Sequence, residues 1–321
     1  MRLKVFFGIL LTVLLLGAGI LFSFYGRQES PASDQGKLKV LTTFLPLYVF
    51  TKNVAGDIAR VENLLPQGVG PHDYAFSPSD VIKVAEAEVV VKQGRGFDDW
   101  IDKVISASGK KDIRVIVAGD GIEAHTGVPR YDPLSGPVSP PANLTLVRPD
   151  PNDPHLWLDP FLAVREVERI RDGLMEADPE HANEYARNAE AFLLRLIDLD
   201  TEIRWQLRDL SRREFVAFHS AFRYFAYEYE LREAAVIEEI PGREPSPAEL
   251  ARIVEQIQRT GVRVIFSEPQ FSPKIVETLI GDYGLRLVEI DTLETGELRP
   301  DYYEEVMREN VRKIADALKG D

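Results

Sequence analysis

Three of the five histidines in this 321-residue chain lie in stretches that could bind a metal ion. His72 follows a Gly-Pro pair, and His219 directly follows an apolar stretch. His155 lies beside a tryptophan and between two prolines, in Asp153-Pro154-His155-Leu156-Trp157-Leu158-Asp159-Pro160. The chain's other histidines are His125 and His181.

The stretch around His155 favours a rigidly held imidazole. Proline fixes its own φ angle and restricts the residue before it, so this peptide is expected to be stiff. A metal-binding imidazole gives one ring nitrogen to the ion and the other to an acceptor, for which Asp153 and Asp159 are both available. The alternative is a histidine packed at a helix start, with Asp159-Pro160 as the cap. These eight residues alone leave both interpretations open.

A site built from three imidazoles needs a fourth donor. Asp291 is the first candidate because it directly follows the predicted strand 285–290, and α/β sheets bind ligands at the carboxyl ends of their strands. Glu268, directly after the predicted strand 262–267, is the alternative, and either acid could instead serve in a turn or a helix cap. Three imidazoles and one carboxylate favour tetrahedral Zn²⁺, with Mn²⁺ as second choice because it prefers more oxygen ligands.

Other kinds of chemistry have less support. The chain has no cysteine, which excludes disulfides, thiolate zinc sites, iron–sulfur clusters and cysteine nucleophiles. The motifs HExxH, GxSxG and GxGxxG and the P-loop are absent from the sequence. Gly94-Arg95-Gly96 follows a predicted strand and could bind an anion, although a turn is the simpler interpretation. The aromatic residues after His219 are expected to pack in a helix core: Phe222, Tyr224, Phe225, Tyr227 and Tyr229.

Alternating strands and helices are expected to position these residues. From Leu38 onward, short β-branched runs alternate with helical periodicity, which indicates βα units and mostly parallel sheets. The predicted fold is α/β, with two similar lobes that each contain a mostly parallel four-stranded sheet. The predicted strands are 39–43, 61–65, 88–92 and 113–117 in the first lobe, and 215–218, 234–237, 262–267 and 285–290 in the second.

A long helix is predicted between the lobes. Residues 182–211 contain neither glycine nor proline and carry apolar residues at helical spacing, so a helix of about 40 Å should form a rigid connection. The expected domains are an N-terminal signal or anchor with its spacer (1–37), a first lobe (38–181) with a long surface loop at 120–152, the connecting helix (182–211) and a second lobe (212–321). The cleft between the lobes is the expected metal site.

The first residues indicate export. A basic start, Met1-Arg2-Leu3-Lys4, precedes an apolar run at 5–25 and a spacer that ends near Lys37. This run of about 20 residues is long enough to span a bilayer, and we find neither a clear cleavage site nor a cysteine for lipid attachment. An uncleaved anchor is therefore at least as well supported as a cleaved signal, and the folded part is expected outside the cytoplasm. The net charge of −14 argues against nucleic-acid binding.

Several motifs together resemble the solute-binding proteins of zinc and manganese ABC transporters, the metal-binding cluster A-type family. The resemblance covers nearly the whole chain after the N-terminal segment. The motifs are Pro71-His72-Asp73-Tyr74 with Ser77-Pro78-Ser79-Asp80, the Asp153–Pro160 stretch, Phe218-His219-Ser220-Ala221-Phe222-Arg223-Tyr224-Phe225, Phe266-Ser267-Glu268-Pro269-Gln270-Phe271, and Asp291-Thr292-Leu293.

The resemblance implies one divalent ion between two lobes, with His72, His155, His219 and Asp291 as its ligands. In this family the third position tends to be histidine in zinc binders and glutamate in many manganese binders, so His219 favours zinc. Zinc members often carry a histidine-rich loop, whereas residues 120–152 contain only His125. The implied function is that of a non-enzymatic, monomeric, extracytoplasmic receptor, which binds Zn²⁺ (Mn²⁺ second) with high affinity and delivers it to an ABC permease.

Two alternatives stay open at this point. Three histidines with an open fourth position are also a catalytic pattern, so a zinc hydrolase or hydratase is the second hypothesis. A surface adhesin is the third, and the sequence neither supports nor opposes it. For the receptor, affinity should fall as the pH drops through the imidazole pKa near 6.5, because the ligands bind only when deprotonated.

Overall fold

The computed structural model describes residues 36–319 except 73, 124–129, 133–135, 139–145, 239–242 and 269–273. In the first lobe, β1 (Lys39–Thr42), β2 (Arg60–Asn63), β3 (Val89–Lys92) and β4 (Arg114–Val117) form a parallel sheet in the order β2-β1-β3-β4. The helices of this lobe are α1 (Leu45–Ala55), α2 (Pro78–Glu86), α3 (Trp100–Ser108) and α4 (Pro160–Ala177).

The second lobe follows the long helix α5 (Ala182–Leu207). Strands β7 (Glu214–His219), β8 (Arg232–Glu238), β9 (Val264–Ser267) and β10 (Arg286–Glu289) form a second parallel sheet in the order β10-β9-β7-β8. Its helices are α6 (Arg223–Glu228), α7 (Pro247–Thr260), α8 (Lys274–Tyr283) and α9 (Tyr302–Leu318). The fold predicted from the sequence is confirmed, and each predicted strand overlaps an observed one.

The two sheets share one topology. Counted within each lobe, the first strand pairs with the second and the third, and the fourth lies beside the third. All four strands of each sheet run parallel, so the loops that follow them gather at one edge of the sheet. This arrangement places the loops that carry the candidate ligands at the carboxyl ends of both sheets.

Helix α5 begins close to the predicted start and ends four residues before the predicted end at 211. Its 26 residues correspond to about 39 Å. One face is buried along the whole helix and belongs to a hydrophobic cluster with residues of both lobes, such as Phe50 and Tyr303. The buried residues of this face are Tyr185, Ala189, Phe192, Leu196, Leu199, Ile203 and Leu207. Because α5 packs along its full length, we expect it to resist bending.

Two short strands, which the sequence analysis did not predict, lie within the predicted surface loop 120–152. Strands β5 (Arg130–Asp132) and β6 (Gly136–Val138) pair in an antiparallel hairpin. Three residues are too few to produce the alternation on which a strand prediction depends. His125 lies outside the described residues.

Nearly all of the N-terminal segment 1–37 also lies outside the described residues. Among the helices that the structure does describe, none combines the length and apolarity needed to cross a bilayer.

Candidate metal centre

His72 lies in the loop between β2 and α2. The loop is tied to the start of α2 by the Asp80 carboxylate, which accepts hydrogen bonds from the Ser77 backbone N–H (2.7 Å) and the Tyr74 hydroxyl (2.8 Å). The His72 ring contacts the Phe97 ring with centroids 4.8 Å apart, and its side chain is 24% exposed. It is therefore the most accessible of the three candidate imidazoles.

His155 directly precedes a short 3₁₀ turn, Leu156–Leu158, and is buried. An Asp153 carboxylate oxygen lies 2.7 Å from Nδ1 of His155 and also accepts its backbone N–H at 3.0 Å. Asp159 has a different role, because it accepts the Phe161 N–H and caps α4. Nε2 of His155 is buried and has no hydrogen-bond partner among the described residues. Asp153 thus orients the ring and leaves Nε2 available to bind a metal ion.

His219 is the last residue of β7 and is also buried. Its Nδ1 lies 3.5 Å from a carboxylate oxygen of Glu268, which follows the neighbouring strand β9. Burial lowers the pKa of His219 to about 4, although the charge of Glu294 opposes the shift. A neutral imidazole is the form that binds a metal ion, so this environment keeps His219 ready to bind.

The structure brings the three imidazoles together. Their ring centroids are 5.6 Å apart for His72 and His155, 5.3 Å for His72 and His219, and 5.0 Å for His155 and His219. The fourth member of this group is the carboxylate of Glu294. One ligand atom from each of the four residues lies within 4.8 Å of every other, and three of the residues are buried.

Glu294 takes the place that the sequence analysis gave to Asp291. The Asp291 carboxylate accepts a hydrogen bond from the Leu293 backbone N–H at 2.7 Å. The Asn310 side chain accepts a hydrogen bond from the backbone N–H of Asp291 (2.8 Å) and donates one to the backbone carbonyl of Asp291 (2.7 Å). Asp291 is therefore part of a turn, and it is not in the group of four. Leu293 has a positive φ of 62°, a backbone conformation that is rare for a γ-branched residue. This turn brings the carboxylate of Glu294 toward the histidines.

The electrostatics of the two nearby glutamates differ. Burial raises the pKa of Glu294, but the hydrogen bond from His72 and the electrostatic attraction of the surrounding histidines outweigh it, so the pKa lies below the ordinary value. Burial and the charge of Glu294 raise the pKa of Glu268 well above its ordinary value. An ionised carboxylate binds cations and a protonated one does so poorly. Glu268, the alternative fourth ligand, lies outside the group of four and beside His219 instead.

The donor set fits a tetrahedral Zn²⁺ ion. Bonds of about 2.0–2.1 Å place the ligand atoms of such an ion about 3.4 Å apart. Oε1 of Glu294 lies 3.3 Å from Nε2 of His72 and 4.0 Å from Nε2 of His155. Since no pair of ligand atoms in the group exceeds 4.8 Å, shifts of under about 1 Å per atom would close the four residues on one ion.

Aromatic side chains form a wall beside the imidazoles. The Phe97 ring lies 5.8 Å from that of His155 and 5.0 Å from that of Trp157, which is fully buried. An apolar surrounding restricts water access and strengthens electrostatic binding of a cation.

The predicted core packing of the aromatic residues after His219 holds for Phe222, Tyr224, Phe225 and Tyr229, which are all buried.

Gly94-Arg95-Gly96 forms a turn with Arg95 at a φ of 57°. The Arg95 guanidinium donates hydrogen bonds to the carbonyl oxygens of Gly119 (3.0 Å), Pro151 (2.7 Å) and Asp153 (3.3 Å). Its donors are thus used to fix the peptide that leads to His155, and the turn interpretation is confirmed.

Comparison with known proteins identifies the family of this chain. Residues 40–317 match the family described as zinc-uptake complex component A, periplasmic. The chain belongs to this family. The resemblance seen in the motifs is therefore confirmed.

Proteins that are similar to this chain in sequence or structure are named with different metal ions. The chain is 29% identical over 294 residues to the high-affinity zinc uptake system protein ZnuA of Bacillus subtilis, and covers 90% of each. Its fold is similar to the SBP FpvC of Pseudomonas aeruginosa in complex with Ni²⁺ (TM-score 0.74, 29% identity, 88% of this chain and 97% of that one). It is also similar to the Zn(II)-bound ZnuA-like domain of Streptococcus pneumoniae AdcA (TM-score 0.69, 30% identity, 89% and 100%). Against the longer zinc-binding protein AdcA of Streptococcus pyogenes, the chain spans 59% of the relative's length.

Proposed function

We propose that this chain is an extracytoplasmic receptor that binds Zn²⁺ in the cleft between its lobes and delivers it to an ABC-type permease. The ion is the cargo, and His72, His155, His219 and Glu294 are its ligands. The observation that carries the proposal is the group of three imidazoles and one ionised carboxylate at the carboxyl ends of both sheets. Binding makes and breaks no covalent bond in the cargo, and the protein acts as a monomer.

Zinc is the favoured ion because three nitrogen donors and one oxygen donor match its tetrahedral preference. Manganese is the second candidate, since it prefers more oxygen ligands than this group supplies. The relatives support the same order, because zinc is named in the family description and in three of the proteins compared above. A structure of FpvC with Mn²⁺ keeps manganese as the alternative.

Export and tethering belong to the same proposal. The apolar run at 5–25 would direct the chain across the membrane, and would hold it there if it is not cleaved. The family description, which includes the word periplasmic, supports a position outside the cytoplasm. Such a position places the cleft where an imported cation first arrives.

The test is metal analysis of the protein purified without added metal, followed by competitive titration with Zn²⁺ and Mn²⁺. We expect one equivalent of zinc and a higher affinity for Zn²⁺ than for Mn²⁺. The triple variant His72→Ala, His155→Ala, His219→Ala should lose binding, whereas His181→Ala, which removes an exposed histidine paired with Asp178, should not. Unchanged binding by the triple variant would refute the site.

The hydrolase alternative can be tested on the same protein. If Glu294 occupies the fourth position, no metal-bound water remains to be activated for catalysis. A zinc-dependent esterase or hydratase activity that disappears in His155→Ala would favour the enzyme. Absence of such activity in a protein that binds zinc tightly would favour the receptor.

A further inference from the structure

Trp157 connects the two lobes directly, apart from the long helix. Its indole Nε1–H donates to the backbone carbonyl of Thr292 at 2.8 Å. Its own carbonyl accepts the Tyr303 hydroxyl at 2.7 Å. Thr292 follows β10, and Tyr303 lies in α9, so both partners belong to the second lobe. Trp157 itself belongs to the first lobe, and it is held by the second at its side chain and at its backbone.

These hydrogen bonds lie next to two of the candidate ligands. Trp157 is two residues after His155 in the chain, and Thr292 is two residues before Glu294. The distance between Nε2 of His155 and Oε1 of Glu294 is 4.0 Å. The link through Trp157 therefore joins, across the lobe boundary, the two short peptides that carry this pair of ligands.

The indole ring cannot turn without moving its neighbours. Trp157 has no exposed surface, and its ring centroid lies 4.8 Å from that of Phe44, 5.0 Å from that of Phe97 and 5.2 Å from that of His155. Close packing of this kind leaves no other rotamer available without displacing neighbouring side chains. His72 differs, since it lies in a partly exposed loop. The structure thus contains a fixed pair of ligands and a more exposed third one.

We propose that Trp157 is a positioning residue, which sets the separation of His155 and Glu294 across the lobe boundary before the ion binds. The inference rests on the proposed function, because it assigns these two residues as ligands. Ligands that are already in place lose less conformational entropy on binding, so the ion is held more tightly and released more slowly. Metal release would then begin on the His72 side of the site.

The cleanest test removes one hydroxyl. Tyr303→Phe deletes the hydrogen bond to the Trp157 carbonyl and leaves the ring in place. The matched control is Tyr185→Phe, which deletes a 2.8 Å hydrogen bond from an equally buried tyrosine to Asp178, in a part of the chain that is not in the metal site. Both variants should lose similar thermal stability without metal. Only Tyr303→Phe should weaken zinc binding, by about tenfold, the effect of losing one net hydrogen bond.

Trp157→Phe removes the other hydrogen bond, to Thr292, together with part of the packing. It should weaken zinc binding by more than Tyr303→Phe does, mainly through faster dissociation measured with a fluorescent chelator in stopped flow. Bound Co²⁺ gives a second readout, since its visible absorption reports coordination geometry. The spectrum should change in Trp157→Phe and Tyr303→Phe and stay unchanged in Tyr185→Phe.

Each outcome decides one question. Zinc affinity and Co²⁺ spectra that match the unmodified protein in both Trp157→Phe and Tyr303→Phe would overturn the positioning role. Weakened affinity of the same size in Tyr185→Phe would also overturn it, by showing a general effect of stability. Failure of the unmodified protein to bind zinc would refute the proposed function instead, whatever the variants do.

Discussion

Oε1 of Glu294 lies 3.3 Å from Nε2 of His72, although 222 positions separate the two residues in the chain. His72 comes from the first lobe and Glu294 from the second. The pair therefore forms only when both lobes adopt their folded arrangement on α5. This hydrogen bond holds the carboxylate among the imidazoles.

Replacing the carboxylate of Glu294 should abolish tight binding. We expect Glu294→Gln to lower zinc affinity by more than about 100-fold. Replacing a residue that only hydrogen-bonds to a metal ligand already lowers metal affinity by about 10–100-fold. Asp291→Asn is the matched control: it also removes one negative charge but keeps an oxygen for the Leu293 N–H, and its affinity should stay within about tenfold of the unmodified protein. Isothermal titration with a competing chelator measures both. The reverse ranking would restore Asp291 as the fourth ligand.

The carboxylate that orients His155 should also affect affinity. Asp153→Asn weakens the acceptor at Nδ1, and we expect zinc affinity to fall by about 10–100-fold, as for other partners of metal-bound histidines. Asp159→Asn is the control, because asparagine caps a helix as well as aspartate does. Its affinity should not change. Equal losses in the two variants would mean that neither acid has a specific role at the metal.

The depressed pKa of His219 predicts how the stability of the metal-free protein depends on pH. In the unfolded chain this imidazole takes up a proton near pH 6.5, and in the folded protein only near pH 4. Between these values the unfolded state binds more protons, so the free energy of unfolding falls as the pH decreases. Between pH 7 and pH 5, protonation of His219 lowers the free energy of unfolding by about 2 kcal/mol.

Chemical denaturation at pH 7 and pH 5 gives the free energy of unfolding of the unmodified protein and of His219→Asn. The difference between the two proteins isolates the contribution of His219. The raised pKa of Glu268 acts in the opposite direction and is present in both proteins, so the comparison largely removes it. We expect the unmodified protein to lose about 2 kcal/mol more than the variant on acidification. An equal loss in both proteins would show that His219 titrates normally in the folded state.

Metal binding should change the overall shape very little. Helix α5 is packed against both lobes, and the hydrogen bonds of Trp157 with Thr292 and Tyr303 add a second connection, so a wide hinge closure is not expected. Small-angle scattering of the metal-free and zinc-bound protein should give the same radius of gyration to within about 1 Å, compared with about 19 Å for a compact chain of the folded part's length. A clear compaction on adding zinc would contradict the rigid arrangement.

Much of the fold follows from local sequence patterns. The positions of β1 to β4 and β7 to β10 agree with short β-branched runs. The central strands β3 and β7 are buried and apolar along most of their length, whereas the edge strands β2 and β10 contain no buried residue. The start of α7 agrees with the capping box at Ser246 and Glu249, which is present in the structure. The hairpin of β5 and β6 was missed because its strands have three residues each.

The sequence by itself determined that three histidines would meet at one site. Each follows or precedes a predictable element, and parallel sheets bring the ends of their strands to one edge. The tertiary structure alone decided which acidic residues lie beside them. Whether Asp291 or Glu294 reaches the histidines depends on the backbone turn at Leu293, and whether Asp153 or Asp159 accepts from His155 depends on where α4 begins. In both cases, a difference of a few ångströms decides which acid is close enough. Packing between residues far apart in the chain sets these distances, and no local sequence pattern predicts them.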